Sequence, residues 1–236
     1  MPALVLAHSP LTGPAAWGLL PAVLRGLGRQ VVVLDVRDDD RPPFAARYVA
    51  RAALQVRDET DGPAVLVGHS GAGYLLPQLG AARAAARSPV RGYVFLDAGI
   101  PHGRSATRLS LLRGEDPTAA EELKVLLAAG GCYPTWTDED LRELVPDDGL
   151  RADLVASLRP RGLGFFAEPL PYPGADTHGW PDAPCGYLQT SPAYDGPARQ
   201  AGSRGWPVVS RGGGHFAACA DPEGLAHDLL ALLDRL

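Results

Sequence analysis

Lysine is almost absent from this 236-residue chain: of 22 basic residues only Lys124 is a lysine, against 27 acidic ones, for a formal net charge of −5. Neutralising phosphates takes a basic face, so neither nucleic acid nor an anionic membrane surface is expected as a partner. The arginine bias, beside abundant Ala, Gly and Pro, reads as the codon usage of a GC-rich bacterial genome and not as function. Cysteine is scarce. Cys132, Cys185 and Cys219 form an odd set without C-x-x-C spacing, which argues against a disulfide framework and a zinc site and for a reducing, cytoplasmic location. No apolar run approaches the roughly twenty residues of a membrane span. The start, Met1-Pro2-Ala3, has no basic residue before Arg25, unlike a signal peptide. What remains, at 46% hydrophobic and 21% charged, is the composition of a folded globule.

Short apolar runs alternate with helical periodicity along the first hundred residues. Leu4–Ala7, Val31–Val36, Ala64–Val67 and Tyr93–Leu96 read as buried strands, and Trp17–Leu27, Phe44–Arg57 and Gly71–Arg87 as the helices between them. That alternation predicts an α/β fold with a mostly parallel sheet covered by helices on both faces. From about residue 100 to 182 it lapses into helical segments, Thr118–Ala129 and Thr137–Leu144 among them, broken by Pro- and Gly-rich stretches; this reads as an insertion within a single domain. The pattern resumes with strands at 186–190 and 207–209, a short helix near Pro197–Gly202, and a last helix from Asp221, where Asp as N-cap precedes Pro222.

The third strand runs directly into Gly68-His69-Ser70-Gly71-Ala72-Gly73 and then a helix. Strand, sharp turn and helix are the context that a G-x-S-x-G nucleophile elbow requires, with Ala72 at the final small position. A serine nucleophile needs a base. Among six histidines, His215, in Gly212-Gly213-Gly214-His215-Phe216, lies after the last strand and before the last helix, where a loop can cross the sheet edge toward Ser70. His8 and His69 read as structural; His102, His178 and His227 have no evident partner. A carboxylate must hold the imidazole's tautomer. Asp195, in the loop after strand 186–190, is the first choice, and Asp97, at the end of the fourth strand, is the competitor.

These residues resemble the small α/β-hydrolases, and within them the methylesterase and hydroxynitrile-lyase type. The resemblance runs through Leu6-Ala7-His8 with Trp17 behind it, Val67-Gly68-His69-Ser70, Val94 to Pro101, and Gly213-Gly214-His215. It implies nucleophile Ser70, base His215, a helical cap formed by the insertion, and neither metal nor organic cofactor. One departure stands out. Where the family's first strand ends in His-Gly-X, the N–H of X and that of the residue after the nucleophile, here Gly71, form the oxyanion hole. Aligned on His8 and Trp17, X is Pro10, which has no N–H. The second donor then falls to Leu11 N–H or the hydroxyl of Ser9 or Thr12, unless the loop is shifted by one residue or the hole is incomplete.

Trp136 and Phe165 are candidate substrate-wall residues within the insertion, set against the plainer role of packing that insertion's own core. Three functions stay open on these residues. The first is hydrolysis of a carboxylic ester or thioester of a small to medium apolar molecule. The second is a non-hydrolytic lyase, cyclase or isomerase step using the Ser/His pair for proton transfer. The third is ligand binding without catalysis. The sequence does not distinguish a monomer from a homodimer.

Overall fold

The computed structural model describes residues 1–37, 40–60, 62–101, 106–172 and 180–236. Asp38 and Asp39 of the acidic run, with His102 and His178, lie outside the described residues. Six strands, β1 (Ala3–Ala7), β2 (Val31–Val33), β3 (Ala64–Ser70), β4 (Val90–Ala98), β5 (Cys185–Gln189) and β6 (Val208–Ser210), form one sheet in the order β2-β1-β3-β4-β5-β6. Every neighbouring pair is parallel. Parallel strands need crossovers, and here α1 (Leu20–Gly26), α2 (Phe44–Glu59) and α3 (Leu76–Ala85) supply the first three.

The strands are buried on both faces, which is why they read as continuous apolar runs and not as alternating ones. One side chain set, including Val5, Leu66, Tyr93, Phe95 and Tyr187, packs with α2 and α3. The opposite set, including Leu4, Leu6, Val65, Val94 and Leu188, packs with α1, with the short α10 (Ala217–Ala220) and with the last helix, α11 (Pro222–Leu233). Asp221 caps α11, its carboxylate accepting from Gly224 N–H, with Pro222 in the first turn.

Among the boundaries that differ from the sequence expectation, two bear on the site. β2 ends at Val33 instead of Val36, because the backbone beyond it bonds to side chains: Asp35 N–H donates to Gln55 Oε1 and Val36 N–H to His8 Nε2. The helix after β3 begins at Leu76 instead of Gly71. A single 3-10 turn, Gly73–Leu75, intervenes, and Pro77 sits in the first turn of α3, where its missing N–H is harmless.

Between β4 and β5 lie α4 (Arg108–Glu115), α5 (Pro117–Ala128), α6 (Asp138–Leu141), α7 (Asp148–Ala156) and α8 (Leu163–Ala167). This helical segment is tied to the sheet edge. Arg159 N–H donates to Leu11 O, Arg161 Nη2 reaches Pro10 O at 3.5 Å, and the Glu168 carboxylate accepts from Phe44 and Ala45 N–H at the start of α2. An anion at a helix N-terminus is favourable there.

Candidate active site

Ser70 ends β3 with φ +56°, a left-handed conformation uncommon for a residue with a side chain. Such strain persists only where the surroundings enforce it. Here the next turn packs hard against the neighbouring strand end: a Cβ on Gly73 would lie 2.2 Å from Gly99 O, so only glycine fits. Ala72 is fully buried, and a Cβ on Gly68 would meet Leu76 at 3.0 Å. The elbow is thereby held with Ser70 lining a cavity of about 510 Å³ beneath the helical segment.

The carboxylate at His215 belongs to Asp97. Asp97 Oδ2 accepts from His215 Nδ1 at 3.2 Å and from Ser191 Oγ at 2.5 Å, while Oδ1 accepts from Thr190 N–H at 2.6 Å and Ser191 N–H at 3.1 Å. Four donors surround a side chain with no exposed surface. Burial alone would raise this carboxyl's pKa, but the hydrogen bonds and charge of His215, with Ser191 and Thr190, outweigh it and hold the group below its ordinary value. Asp195, the first choice from sequence, is exposed at the start of α9 (Asp195–Ser203) and bonds instead to Gln189 Nε2.

The reason lies in sheet register. His69 pairs with Leu96 but Ser70 with Ala98, so Asp97 is the extra residue of a bulge, at φ +39°. A bulge re-aims a side chain, and Tyr187 Oη braces this one by bonding both Ala98 N–H and Ala98 O. His215 arrives on a loop turned by Gly213 (φ +120°) and Gly214 (φ +78°), with Gly214 N–H bonded to Thr190 O. His69 Nε2 donates to His215 O at 2.9 Å, its ring 4.4 Å from the His215 ring. Burial first, and the His215 charge second, push His69 down to about 3, so it stays neutral. His8 is structural as well, donating from Nδ1 to Ser9 O and accepting from Val36 N–H.

A residue that sequence reasoning missed is Tyr194. Its hydroxyl pairs with Ser70 Oγ at 3.1 Å, and its ring stacks on His215 with centroids 5.1 Å apart and planes 5° from parallel. Among the described residues Ser70 makes no hydrogen bond to His215. The only signal in the sequence was a tyrosine beside Asp195 in the loop after β5.

On the other side of Ser70, Ser9, Pro10, Leu11 and Gly71 line the cavity. Leu11 N–H donates to Ser9 Oγ at 3.3 Å, and Thr12 Oγ1 donates to Ser9 O at the same distance. Thr12 is buried away from the cavity wall. Ser9 Oγ lies against Gly71, 3.3 Å from where a Cβ would stand. Phe165 is in the wall with Phe166 and Tyr133, whereas Trp136 is not: it packs edge-on to Phe216 and Tyr133. Arg108 lies 3.8 Å over the Phe165 ring and donates to Phe165 O; burial lowers its pKa to about 10. Among the described residues, no group of three His, Cys, Asp or Glu could hold a metal ion, and no helix is long and apolar enough to cross a membrane.

Residues 4–228 match the model of a family described as the alpha/beta hydrolase family. No curated protein matches by sequence. Solved structures with the same architecture include an extracellular α/β-hydrolase from a Paenibacillus species, described as sharing structural and functional homology with tobacco salicylic acid binding protein 2 (TM-score 0.75, 14% identity, 98% of this chain and 99% of that one). A pyrethroid hydrolase from Sphingobium faniae has TM-score 0.68 at 19% identity, covering 99% and 97%. A methylesterase from Arabidopsis has TM-score 0.66 at 18% identity, covering all of both chains. At these identities the likeness is one of fold.

Proposed function

The chain belongs to the α/β-hydrolase family, and from that premise we propose that it is a serine esterase or thioesterase acting on a small to medium apolar substrate through an acyl-serine intermediate. The observation that carries this is the Asp97–His215 pair, whose imidazole stacks on the ring of Tyr194, together with a strained Ser70 on the cavity wall whose Oγ meets the hydroxyl of that same tyrosine. With Nδ1–H donated to Asp97, the imidazole leaves Nε2 unprotonated, the tautomer of a general base. A rotation about the Ser70 Cβ–Oγ bond turns the hydroxyl hydrogen toward that nitrogen while Oγ stays beside Tyr194. Ser70 Oγ then attacks the carbonyl carbon, the proton passes to Nε2, and the leaving alcohol or thiol takes it up. Water repeats the sequence to release the acid.

The oxyanion is held by Gly71 N–H and by the Ser9 hydroxyl. Pro10 offers no N–H and Leu11 N–H is taken by Ser9 Oγ, an arrangement that leaves the Ser9 proton free to donate beside Gly71. The helical segment acts as the cap, its Phe165, Phe166 and Tyr133 giving the substrate an apolar wall. Among the neighbours of this fold, a methylesterase and a pyrethroid hydrolase carry names of hydrolytic enzymes. The missing N–H at Pro10 favours one other reading, a non-hydrolytic proton-transfer step on the same Ser/His pair.

Incubating the protein and its Ser70→Ala variant with a short-chain p-nitrophenyl ester and a fluorophosphonate probe decides between them. The hydrolytic reading expects turnover, and a probe adduct on intact mass, that both vanish in the variant. A well-folded wild type that is neither labelled nor active defeats it and moves the search to non-hydrolytic substrates. A noncatalytic binder would retain its ligand affinity in the variant with no turnover to lose.

A further inference from the structure

Tyr194 is not needed for the steps just described, yet it touches both groups that perform them. Its hydroxyl is 3.1 Å from Ser70 Oγ, its ring lies parallel to the His215 imidazole, and it lines the same cavity. It is placed there by the 3-10 turn Pro192–Tyr194, directly after Ser191, whose N–H and Oγ hold Asp97. One short loop after β5 therefore serves both the acid and the nucleophile.

In the free enzyme either hydroxyl can donate to the other. After acylation only one can: Ser70 Oγ has become an ester oxygen without a hydrogen, so any bond between the two must run from Tyr194 to Oγ. Burial raises the Tyr194 phenol well above its ordinary value, so it stays a donor throughout the working pH range.

Resting on the acyl-serine reading, we infer that Tyr194 is a further catalytic residue, one that acts on deacylation by donating a hydrogen bond to Ser70 Oγ as that oxygen leaves. Water attacks the acyl carbon and gives its proton to His215 Nε2. The C–Oγ bond then breaks, the electron pair goes to Oγ, and His215 returns the proton to it. Tyr194 keeps its own proton throughout and stabilises the negative charge passing through Oγ. Acylation gains less from this bond, because the free Ser70 hydroxyl already pairs with Tyr194 before the reaction begins, whereas the ester Oγ of the acyl-enzyme accepts only weakly until it starts to leave.

Substituting Tyr194→Phe removes the hydroxyl and keeps the ring stacked on His215. The test follows p-nitrophenyl butyrate turnover by stopped flow and the decay of the butyryl-enzyme by quench and intact mass. The expected result is a deacylation rate lower by roughly 10- to 100-fold, at or below the roughly 10²- to 10³-fold of a fully engaged transition-state donor. The acyl-enzyme accumulates to a burst near one per active site, and kcat/KM, which reports acylation, stays within about twofold. A second variant, Tyr194→Leu, loses the stacked ring as well and is expected to lower kcat/KM too, separating positioning of His215 from the hydroxyl. If butyryl-Ser70 forms in the wild type but Tyr194→Phe deacylates at the wild-type rate, or if kcat and kcat/KM fall in parallel in that variant, the role assigned to the hydroxyl is overturned while the esterase reading stands. If no acyl adduct forms on Ser70 in any variant, both are overturned.

Discussion

Replacing Asp97 by Asn tests the centre of the site because the side chain keeps its shape and loses only its charge and half of its acceptors. Asp97 accepts four hydrogen bonds, two on each oxygen. In the variant the amide oxygen retains the Thr190 and Ser191 N–H groups, and the NH2 faces Ser191 Oγ and His215 Nδ1. The serine hydroxyl rotates to accept. The imidazole has no such freedom: to accept from the NH2 it must carry its proton on Nε2, the nitrogen required as base. That inversion of tautomer is worth roughly 10⁴ in kcat. Losing one charge-assisted bond in a site with no solvent exposure costs about 1.5–3 kcal/mol, partly offset by relieving a buried charge. At about 2–4 °C per kcal/mol for a chain of this size, Tm falls by at most roughly 3–12 °C, a shift that thermal melts read directly. The control is Asp195→Asn, at an exposed residue bonded to Gln189, which is expected to keep its activity within about twofold. The assay is kcat and kcat/KM on a p-nitrophenyl ester at 25 °C beside thermal melts of all three proteins. If Asp97→Asn retains a tenth of the activity, or Asp195→Asn loses a hundredfold, the assignment of Asp97 as the acid is wrong.

Two further expectations follow from the same geometry. Ser9→Ala removes the hydroxyl beside Gly71 and should lower kcat by about 10² with KM little changed, Ser9→Thr restoring most of it; equal rates in Ser9→Ala and the wild type would show that Leu11 N–H, released from Ser9 Oγ, serves instead. His69, pushed by burial to about 3 from the ordinary imidazole value of 6.5, gives the fold an acid-sensitive limb. Between those values the unfolded chain binds the proton that the folded protein refuses, so stability falls with pH from about 6.5 downward by up to about 1.4 kcal/mol per unit, roughly 2–3 kcal/mol by pH 4.5. Urea titrations from pH 7.5 to 4.5 should show that slope in the wild type and a flatter one in His69→Asn; an unchanged slope would place the acid sensitivity elsewhere.

Much of the molecule was legible in the sequence because the signals are local. The central strands β1, β3 and most of β4 are apolar runs because a parallel sheet covered on both faces buries the side chains along them. The elbow is written within six residues, since the turn after β3 admits only small neighbours, and the Gly-rich stretch before His215 marks the one loop that must turn sharply after β6. These gave Ser70 and His215 their places as candidates without any coordinates.

What the tertiary structure alone decided depends on how separate strands register against one another. Both aspartates stand near the C-terminal ends of neighbouring strands, Asp97 in the last residues of β4 and Asp195 soon after β5, so neither spacing nor residue type separates them. A one-residue bulge at the end of β4 sends the Asp97 carboxylate among Thr190, Ser191 and His215, while α9 takes Asp195 as its first residue and turns it to solvent. The segment after β5, where Asp195 was the first choice for the acid, contributes Ser191 and Tyr194 to the site instead. The fates of Trp136, drawn into packing against Phe216, and Phe165, left on the cavity wall, were likewise set by how helices distant in sequence are placed. Local sequence fixes which conformations a segment can adopt; which side chains meet is settled by packing between segments distant in sequence, and that packing has no signature in any one of them.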